Sequence, residues 1–191
     1  VSVASPSNDC RLGGHEAPPC IMSIFLGDML TDVLCEIATG GASNIREGGN
    51  MQLGVTTMPN LPKDVSDRNR TSPFAFTGNR FEFRAVGSSQ NVATAACVLN
   101  TVVAESLTEF RAEVDALEAA GEDRSSAVMA VVRKFISESQ DIMFEGNGYS
   151  KEWEIESERR GLRAVRNVTE AYEVYHEKQT LDLFVNMGVL A

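Results

Sequence analysis

Residues 67–84 read DRNRTSPFAFTGNRFEFR, and this stretch decides which fold and which kind of site the chain can form. After Asp67 its ionisable side chains are four arginines and one carboxylate: Arg68, Arg70, Arg80, Arg84 and Glu82. If the RFEFR run is an extended strand, side chains alternate, so Arg80, Glu82 and Arg84 share one face while the phenylalanines take the other. An anion between two cations suits phosphate and carboxylate ligands joined by a divalent metal ion.

The same alternation also allows a purely structural interpretation. Glu82 would then form an ion pair within the sheet, with Arg80 or with Arg84, because neighbours on one face of a sheet do pair. The residues alone leave both interpretations open.

The bulk composition limits the class of protein. The chain has 191 residues, of which 43% are hydrophobic and 23% are charged, as expected for one globular domain or for part of a larger one. Its net charge of −10 argues against a nucleic-acid partner, which would be repelled. We find no apolar run of about 18 residues and no signal peptide, so we predict a cytoplasmic protein without a membrane span.

Cysteine and histidine show no spacing typical of a metal site. The residues concerned are Cys10, Cys20, Cys35, Cys97, His15 and His176. We therefore predict reduced cysteines, mostly buried as small hydrophobic side chains.

Hydrophobic periodicity predicts short strands first and helices afterwards. The predicted elements are a buried strand at 20–26, a helix from Asp28 to Gly40, strands at 74–76 and 80–86, and helices at 91–120, 125–143, 150–160 and 169–187. The first long helix carries an apolar stripe that should face a core: Val92, Ala95, Ala96, Leu99, Val102, Val103, Leu107 and Phe110. Residues 41–67 show no periodicity, and they fit either a surface excursion or a loop that packs against another part of the protein.

Four motifs occur together in the order found in one enzyme family. They are RLGGHEAPP at 11–19, DRNRTSPFAFTGN at 67–79, FEFRAVGSSQ at 81–90 and FEGNGYSKEW at 144–153. From about Ser5 onward the chain resembles the long bacterial type III branch of the glutamine synthetases. The resemblance implies an α+β fold, in which residues 1–87 contribute a flap loop and part of an antiparallel catalytic sheet, and residues 88–191 form a helical C-terminal region.

The resemblance assigns substrate roles to three residues. Arg11 and Arg84 match arginines that hold the substrate glutamate. Glu16 matches a flap carboxylate that binds and deprotonates ammonium, which is sensible chemistry for an acid beside an attacking amine. Without the resemblance, Arg11 would be taken as a surface salt-bridge residue.

Three further residues match the nucleotide and metal site. Arg70 matches the arginine that stabilises the transferring phosphoryl group of ATP, a catalytic role together with Glu16. Arg80 would lie near the ATP phosphates, and Glu82 matches a ligand of Mg²⁺ or Mn²⁺. Three positions depart from the pattern: Ala75 stands where many members carry a second nucleotide-binding arginine, His15 where the branch often has Asn, and Cys10 where it often has His.

The implied activity is ATP-dependent ligation of L-glutamate and ammonia through a γ-glutamyl phosphate, in a homo-oligomeric ring. Glu82 alone cannot hold two or three metal ions, and the other ligands of the family lie upstream of any segment present here. The chain also begins with Val1 rather than Met, so we expect a piece of a longer protein that is inactive alone. Two alternatives stay open: another ATP-dependent carboxylate–amine ligase or guanidino phosphotransferase, and a non-catalytic assembly fragment.

Overall fold

The computed structural model of the protein describes residues 20–40, 50–51, 61–62, 71–85 and 91–190. Its helices are α1 (Asp28–Thr39), α2 (Ala93–Ala119), α3 (Arg124–Glu138), α4 (Lys151–Arg159), α5 (Val168–Glu173) and α6 (Lys178–Asn186). Its strands are β1 (Cys20–Ile21), β2 (Ile24–Phe25), β3 (Asn50–Met51), β4 (Leu61–Pro62), β5 (Phe74–Phe76), β6 (Phe81–Phe83) and β7 (Ala164–Val165). This described part is mostly helical, with a small mixed sheet.

The mixed sheet contains three strands in the order β2-β5-β6. Strand β2 runs parallel to β5, with Ile24 opposite Phe74, and β5 runs antiparallel to β6. The β5–β6 turn has Gly78 at φ 92, a left-handed conformation that favours glycine. The two predicted strands and their turn are therefore confirmed, and these two strands are antiparallel as expected, while the addition of β2 makes the three-stranded sheet mixed.

The predicted strand at 20–26 is in fact two short strands. Strand β1 pairs antiparallel with β7, with Cys20 opposite Val165, while β2 joins the three-stranded sheet. Met22 and Ser23 separate the two strands. A single apolar run can therefore serve two sheets, and the run itself carries no sign of the division.

Helix α1 ends as its sequence predicts. Gly40 adopts the left-handed conformation at φ 68, and its N–H donates to the carbonyl of Glu36 at 2.9 Å. At the other end, Gly27 is the N-cap residue and Asp28 is the first helical residue. Asp28 therefore favours the helix through its charge near the N-terminal dipole, and a capping role for its side chain, which the sequence also suggests, is wrong.

The chain divides into two compact units. One contains β2–β6, helix α1, the C-terminal part of α3 from Val132, and the residues up to Asn147. The other contains β1, α2, the first part of α3 and all described residues from Gly148 on. The buried apolar side chains of the first unit include Phe25, Leu26 and Ala75, and those of the second include Val114, Ala127, Val131 and Trp153. The predicted division between residues 87 and 88 stays a prediction.

The apolar stripe of α2 does not face a core in the described structure. Val92 is 74% exposed and Leu107 is 63% exposed, whereas the buried residues of α2 are Thr101 and Val114. Helix α6 contacts α2, and an apolar groove of about 370 Å³ lies between Cys97 of α2 and residues of the C-terminal region. A long amphipathic helix buries its stripe only where another element lies against it, so the expectation that this stripe faces a core is wrong for most of its residues.

The C-terminal helix predicted at 169–187 is interrupted. A 3-10 turn at Val174–His176 follows α5, and Glu177 has an extended backbone (φ −69, ψ 131) before α6 begins. The carboxylate of Glu177 forms an ion pair with Arg163, with Oε1 at 2.7 Å from Nη1. No glycine or proline marks this break, so the helical spacing of the sequence runs across it.

The cysteines that the structure describes with side chains differ from the prediction in their burial. Cys35 on α1 and Cys97 on α2 are free thiols, as predicted, but both are exposed. A small apolar side chain is tolerated at such exposed positions, and Cys97 also lines the apolar groove beside α6.

Candidate functional site

Three phenylalanines hold the β5–β6 hairpin together on one face. The ring of Phe81 stacks on Phe74 with a centroid distance of 5.1 Å, and it lies 5.4 Å from the ring of Phe76 in a tilted arrangement. Aromatic pairs across two strands are among the stronger stabilising contacts of a sheet. The hairpin therefore presents its opposite face on a fixed support.

The opposite face carries the three charged residues predicted to share it. Arg80 donates from Nη2 to Glu82 Oε1 at 2.9 Å and from Nε at 3.3 Å. Arg84 donates from Nη2 to Glu82 Oε2 at 3.2 Å. Each carboxylate oxygen thus has its own guanidinium. The predicted common face is confirmed, and so are the ion pairs of the structural interpretation, whereas the binding of phosphate, carboxylate or metal stays a prediction.

Electrostatics keep the carboxylate charged. Hydrogen bonds from Arg80 and then from Arg84 hold the pKa of Glu82 below its ordinary value, against a smaller effect of burial. Glu82 is therefore an anion throughout the neutral range. An ionised carboxylate that remains one-third exposed can accept a cation or take part in a metal site.

Backbone hydrogen bonds fix where the three charged residues stand. Thr77 N–H donates to the Arg80 carbonyl at 2.8 Å, and Arg84 N–H donates to the Pro73 carbonyl at 2.8 Å. Ala75 lies opposite Glu82 and is 1% exposed. Directly opposite residues of an antiparallel pair share a face, so the small buried side chain of Ala75 lies beside Glu82 on the charged face of the hairpin.

A second segment lies beside this sheet. Phe144 N–H donates to the Ile24 carbonyl at 3.0 Å, and Thr71 Oγ1 donates to the Gly146 carbonyl at 3.2 Å. Thr71, Phe144 and Gly146 belong to the motifs at 67–79 and 144–153, but their residue types predict no contact between them. Thr71 and Gly146 are 75 positions apart in the chain, and a hydrogen bond from a hydroxyl to a backbone carbonyl cannot be predicted from a residue pattern.

The structure brings together three of the six candidate residues. Arg80, Glu82 and Arg84 form the cluster just described, whereas Arg11, Glu16 and Arg70 lie outside the described residues. We find no group of three or more Asp, Glu, His or Cys side chains that could hold a metal ion among the described residues, which are 20–40, 50–51, 61–62, 71–85 and 91–190. The chemistry of Glu82 fits a hard divalent cation, but as one ligand of a set that needs others.

Helices long and apolar enough to cross a bilayer do not occur in the part of the chain that the structure describes.

Comparison with known proteins gives one consistent result. Residues 127–191 match the glutamine synthetase C-terminal domain. A glutamine synthetase of Bacteroides fragilis (strain YCH46) is 46% identical over 183 residues, covering 94% of this chain and 25% of that protein. The type-3 glutamine synthetase of Dictyostelium discoideum is 43% identical over 191 residues, covering 100% of this chain and 26% of that protein.

A third relative agrees with these two. The glutamine synthetase of Butyrivibrio fibrisolvens is 36% identical over 195 residues, covering 99% of this chain and 26% of that protein. The chain spans about a quarter of the length of these curated relatives. With a matching C-terminal domain and similarity along nearly all of its residues, the chain belongs to the glutamine synthetase family.

Proposed function

We propose that this sequence works as part of a type-3 glutamate–ammonia ligase, an enzyme that forms L-glutamine from glutamate, ammonia and ATP. The observation that carries the proposal is the cluster of Arg80, Glu82 and Arg84 on one face of the hairpin. Similarity to complete glutamine synthetases along nearly the whole chain supports it.

The geometry suits two anions held side by side. Alternate residues on a strand are about 6.6 Å apart, so the three charged residues span roughly 13 Å. Arg84, at one end, would hold the carboxylate of glutamate, and Arg80, at the other, would approach the ATP phosphates. Glu82 between them would supply one oxygen ligand to Mg²⁺ or Mn²⁺, which would neutralise charge on the phosphates.

The chemistry then has two steps. A γ-carboxylate oxygen of glutamate attacks the γ-phosphorus of ATP, the bond to ADP breaks, and Arg70 stabilises the charge on the transferred group. Ammonia then attacks the acyl carbon and phosphate leaves. Glu16 takes the proton that ammonium must lose, and Arg11 holds glutamate together with Arg84. The roles of Arg11, Glu16 and Arg70 rest on the resemblance of their motifs.

The wider architecture is part of the same proposal. Residues 1–87 would contribute a flap and part of an antiparallel catalytic sheet, of which β5 and β6 are two strands. Residues 88–191 would form the helical C-terminal region. The complete enzyme would be a cytoplasmic homo-oligomeric ring, and the 191 residues alone would be inactive because the other metal ligands lie elsewhere.

The test compares the 191-residue chain with the full-length polypeptide that carries it. Formation of γ-glutamyl hydroxamate from glutamate, hydroxylamine, ATP and Mg²⁺ should occur with the full-length protein only. Glu82→Gln should raise the Mg²⁺ concentration for half-maximal activity at least tenfold, because loss of even an outer-shell partner costs that much. Glu109→Gln, at an exposed acid of α2, is the matched control and should change nothing.

Other outcomes would contradict the proposal. Metal-dependent turnover by the 191 residues would refute their inactivity. A full-length protein that leaves glutamate unreacted, but uses another amino acid or phosphorylates a guanidino compound, would favour the alternative enzymes. Absence of every such product would favour a purely structural role for the Glu82 ion pairs.

A further inference from the structure

Residues 143–146, here called the docking segment, are attached to the sheet at its β2 edge. Met143 forms a parallel β-bridge with Ile24, and Phe144 N–H donates to the Ile24 carbonyl at 3.0 Å. Two consecutive residues thus use the free edge of β2, the other edge of which pairs with β5. The segment therefore behaves as a short continuation of the sheet and not as a surface loop.

Two side-chain features fix the docking segment further. Thr31 Oγ1 of helix α1 donates to Glu145 Oε1 at 2.8 Å. Gly146 lies so close to the Phe144 ring that a Cβ at this position would stand 2.8 Å from Phe144 Cζ. Position 146 therefore accepts no larger residue unless the Phe144 ring shifts.

The Gly146 carbonyl is tied to the hairpin through Thr71. The Thr71 hydroxyl donates to the Gly146 carbonyl at 3.2 Å. Two residues later, the Pro73 carbonyl accepts the Arg84 N–H at 2.8 Å. Between them Ser72 is 5% exposed, and its hydroxyl donates to the Phe74 carbonyl at 3.0 Å. Residues 71–73 are thus anchored by the docking segment at one end and hold the backbone of Arg84 at the other.

We propose that Thr71 is a positioning residue for Arg84: its hydroxyl, by binding the Gly146 carbonyl, fixes residues 71–73 and so fixes the backbone position from which the Arg84 guanidinium extends. This inference rests on the proposed function, in which Arg84 holds glutamate. Placement matters here because a guanidinium that is displaced from its bidentate geometry holds a carboxylate less tightly. Thr71 itself touches no substrate.

The experiment uses three variants of the full-length enzyme. Thr71→Val keeps the shape and loses the hydroxyl, Thr71→Ser keeps the hydroxyl, and Thr108→Val is the matched control. Thr108 lies exposed on α2 and donates to the Ala104 carbonyl within its own helix, so its variant also loses one hydrogen bond. Each variant is compared at equal concentrations of folded enzyme.

We expect Thr71→Val to raise the KM for glutamate roughly threefold to tenfold, the equivalent of one ordinary hydrogen bond. Its kcat and its KM for ATP should stay within about twofold of the parent. Thr71→Ser should restore the KM, and Thr108→Val should not change it. A merely structural role would reduce the amount of folded enzyme and leave the KM for glutamate unchanged, and this result would overturn the inference. Equal defects in Thr71→Val and Thr71→Ser would overturn it as well.

Hydrogen exchange provides a readout that needs no activity. The Arg84 amide should exchange faster in Thr71→Val and in Gly146→Ala, which displaces the Phe144 ring, but not in Thr108→Val. If the parent protein has no ligase activity while the Arg84 amide responds as expected, the proposed function is refuted, but the role of Thr71 in fixing the Arg84 backbone is supported. If the parent ligates glutamate but neither the KM nor the Arg84 amide responds to Thr71→Val, the positioning role alone is refuted.

Discussion

Replacement of Trp153 by alanine should remove the largest packed side chain of helix α4. The indole is 2% exposed, so almost all of its surface is shielded from water. Its backbone N–H is accepted by Ser150 Oγ at 3.1 Å, and the Arg160 guanidinium lies 5.4 Å from the ring centroid. The substitution therefore deletes buried apolar contacts and a cation–π contact, while the helix cap can remain.

The size of the effect follows from this environment. Truncation of a buried tryptophan to alanine costs about 3–5 kcal/mol, and loss of the Arg160 contact adds about 0.5–1 kcal/mol. A domain has only about 5–15 kcal/mol of net stability, so Trp153→Ala should remove a large share of it. Trp153→Phe fills part of the volume and should cost less.

Urea unfolding of the 191-residue chain measures the change. Trp153 is the single tryptophan, so far-UV circular dichroism must replace fluorescence as the probe. Ile155→Ala is the matched control because Ile155 lies in the same helix and is 70% exposed. Its free energy of unfolding should change by no more than about 0.5 kcal/mol.

The reasoning would be refuted if Trp153→Ala and Ile155→Ala differed by less than about 1 kcal/mol. If Trp153→Ala does not fold at all, the comparison passes to Trp153→Phe and Ile155→Val. Trp153→Phe must then be the less stable of the two.

Two further predictions concern protonation and capping. Burial first, and then the charges of Asp28 and Asp32, raise the pKa of Glu145 above its ordinary value of 4.5. A raised pKa adds stability that is fully present below 4.5 and is lost as pH rises through the folded value, so protection of the Phe144 amide from exchange should fall as the pH rises above 4.5. Glu145→Gln should abolish that fall. If the pH dependence of protection is the same in this variant as in the parent, groups other than Glu145 cause it. Ser150→Ala removes the N-cap of α4 and should lower the free energy of unfolding by about 1 kcal/mol in urea, whereas Ser150→Asp should retain it, and equal losses in both would contradict a capping role.

Local signals in the sequence were sufficient for some elements. Alternation in RFEFR and the turn at Thr77–Asn79 predict the hairpin because both depend only on neighbouring residues. The same holds for α4, where the Ser150 hydroxyl caps the helix by accepting a hydrogen bond from the N–H of Trp153, three residues later. In these places the residue pattern and the tertiary structure favour the same conformation.

Other elements depend on partners distant in the chain. Strand β7 exists because Ala164 and Val165 meet β1, more than 140 positions earlier along the chain, and two residues carry no period of their own. The pairing of β3 with β4 likewise arises within a stretch that shows no periodicity. The break at Glu177 coincides with its ion pair to Arg163, which helix propensity does not include.

The candidate site divides in the same way. The common face of Arg80, Glu82 and Arg84 follows from the two-residue period of a strand, so the sequence was enough to predict it. The tie between Thr71 and Gly146 joins two loops by a hydroxyl and a backbone carbonyl, and almost any sequence offers both groups. Such contacts become visible only when the fold has placed the two loops together.

The two guanidinium groups beside Glu82 differ in their exposure to solvent, so the two oxygens of the carboxylate have different surroundings. The Arg80 side chain is 69% exposed, whereas that of Arg84 is 29% exposed. Dissolved ions screen the more exposed Arg80 pair more strongly, so the attraction between Arg80 and Glu82 weakens more steeply as ionic strength rises. A cation that binds Glu82 would therefore reach the carboxylate oxygen beside Arg80 more easily than the oxygen beside Arg84.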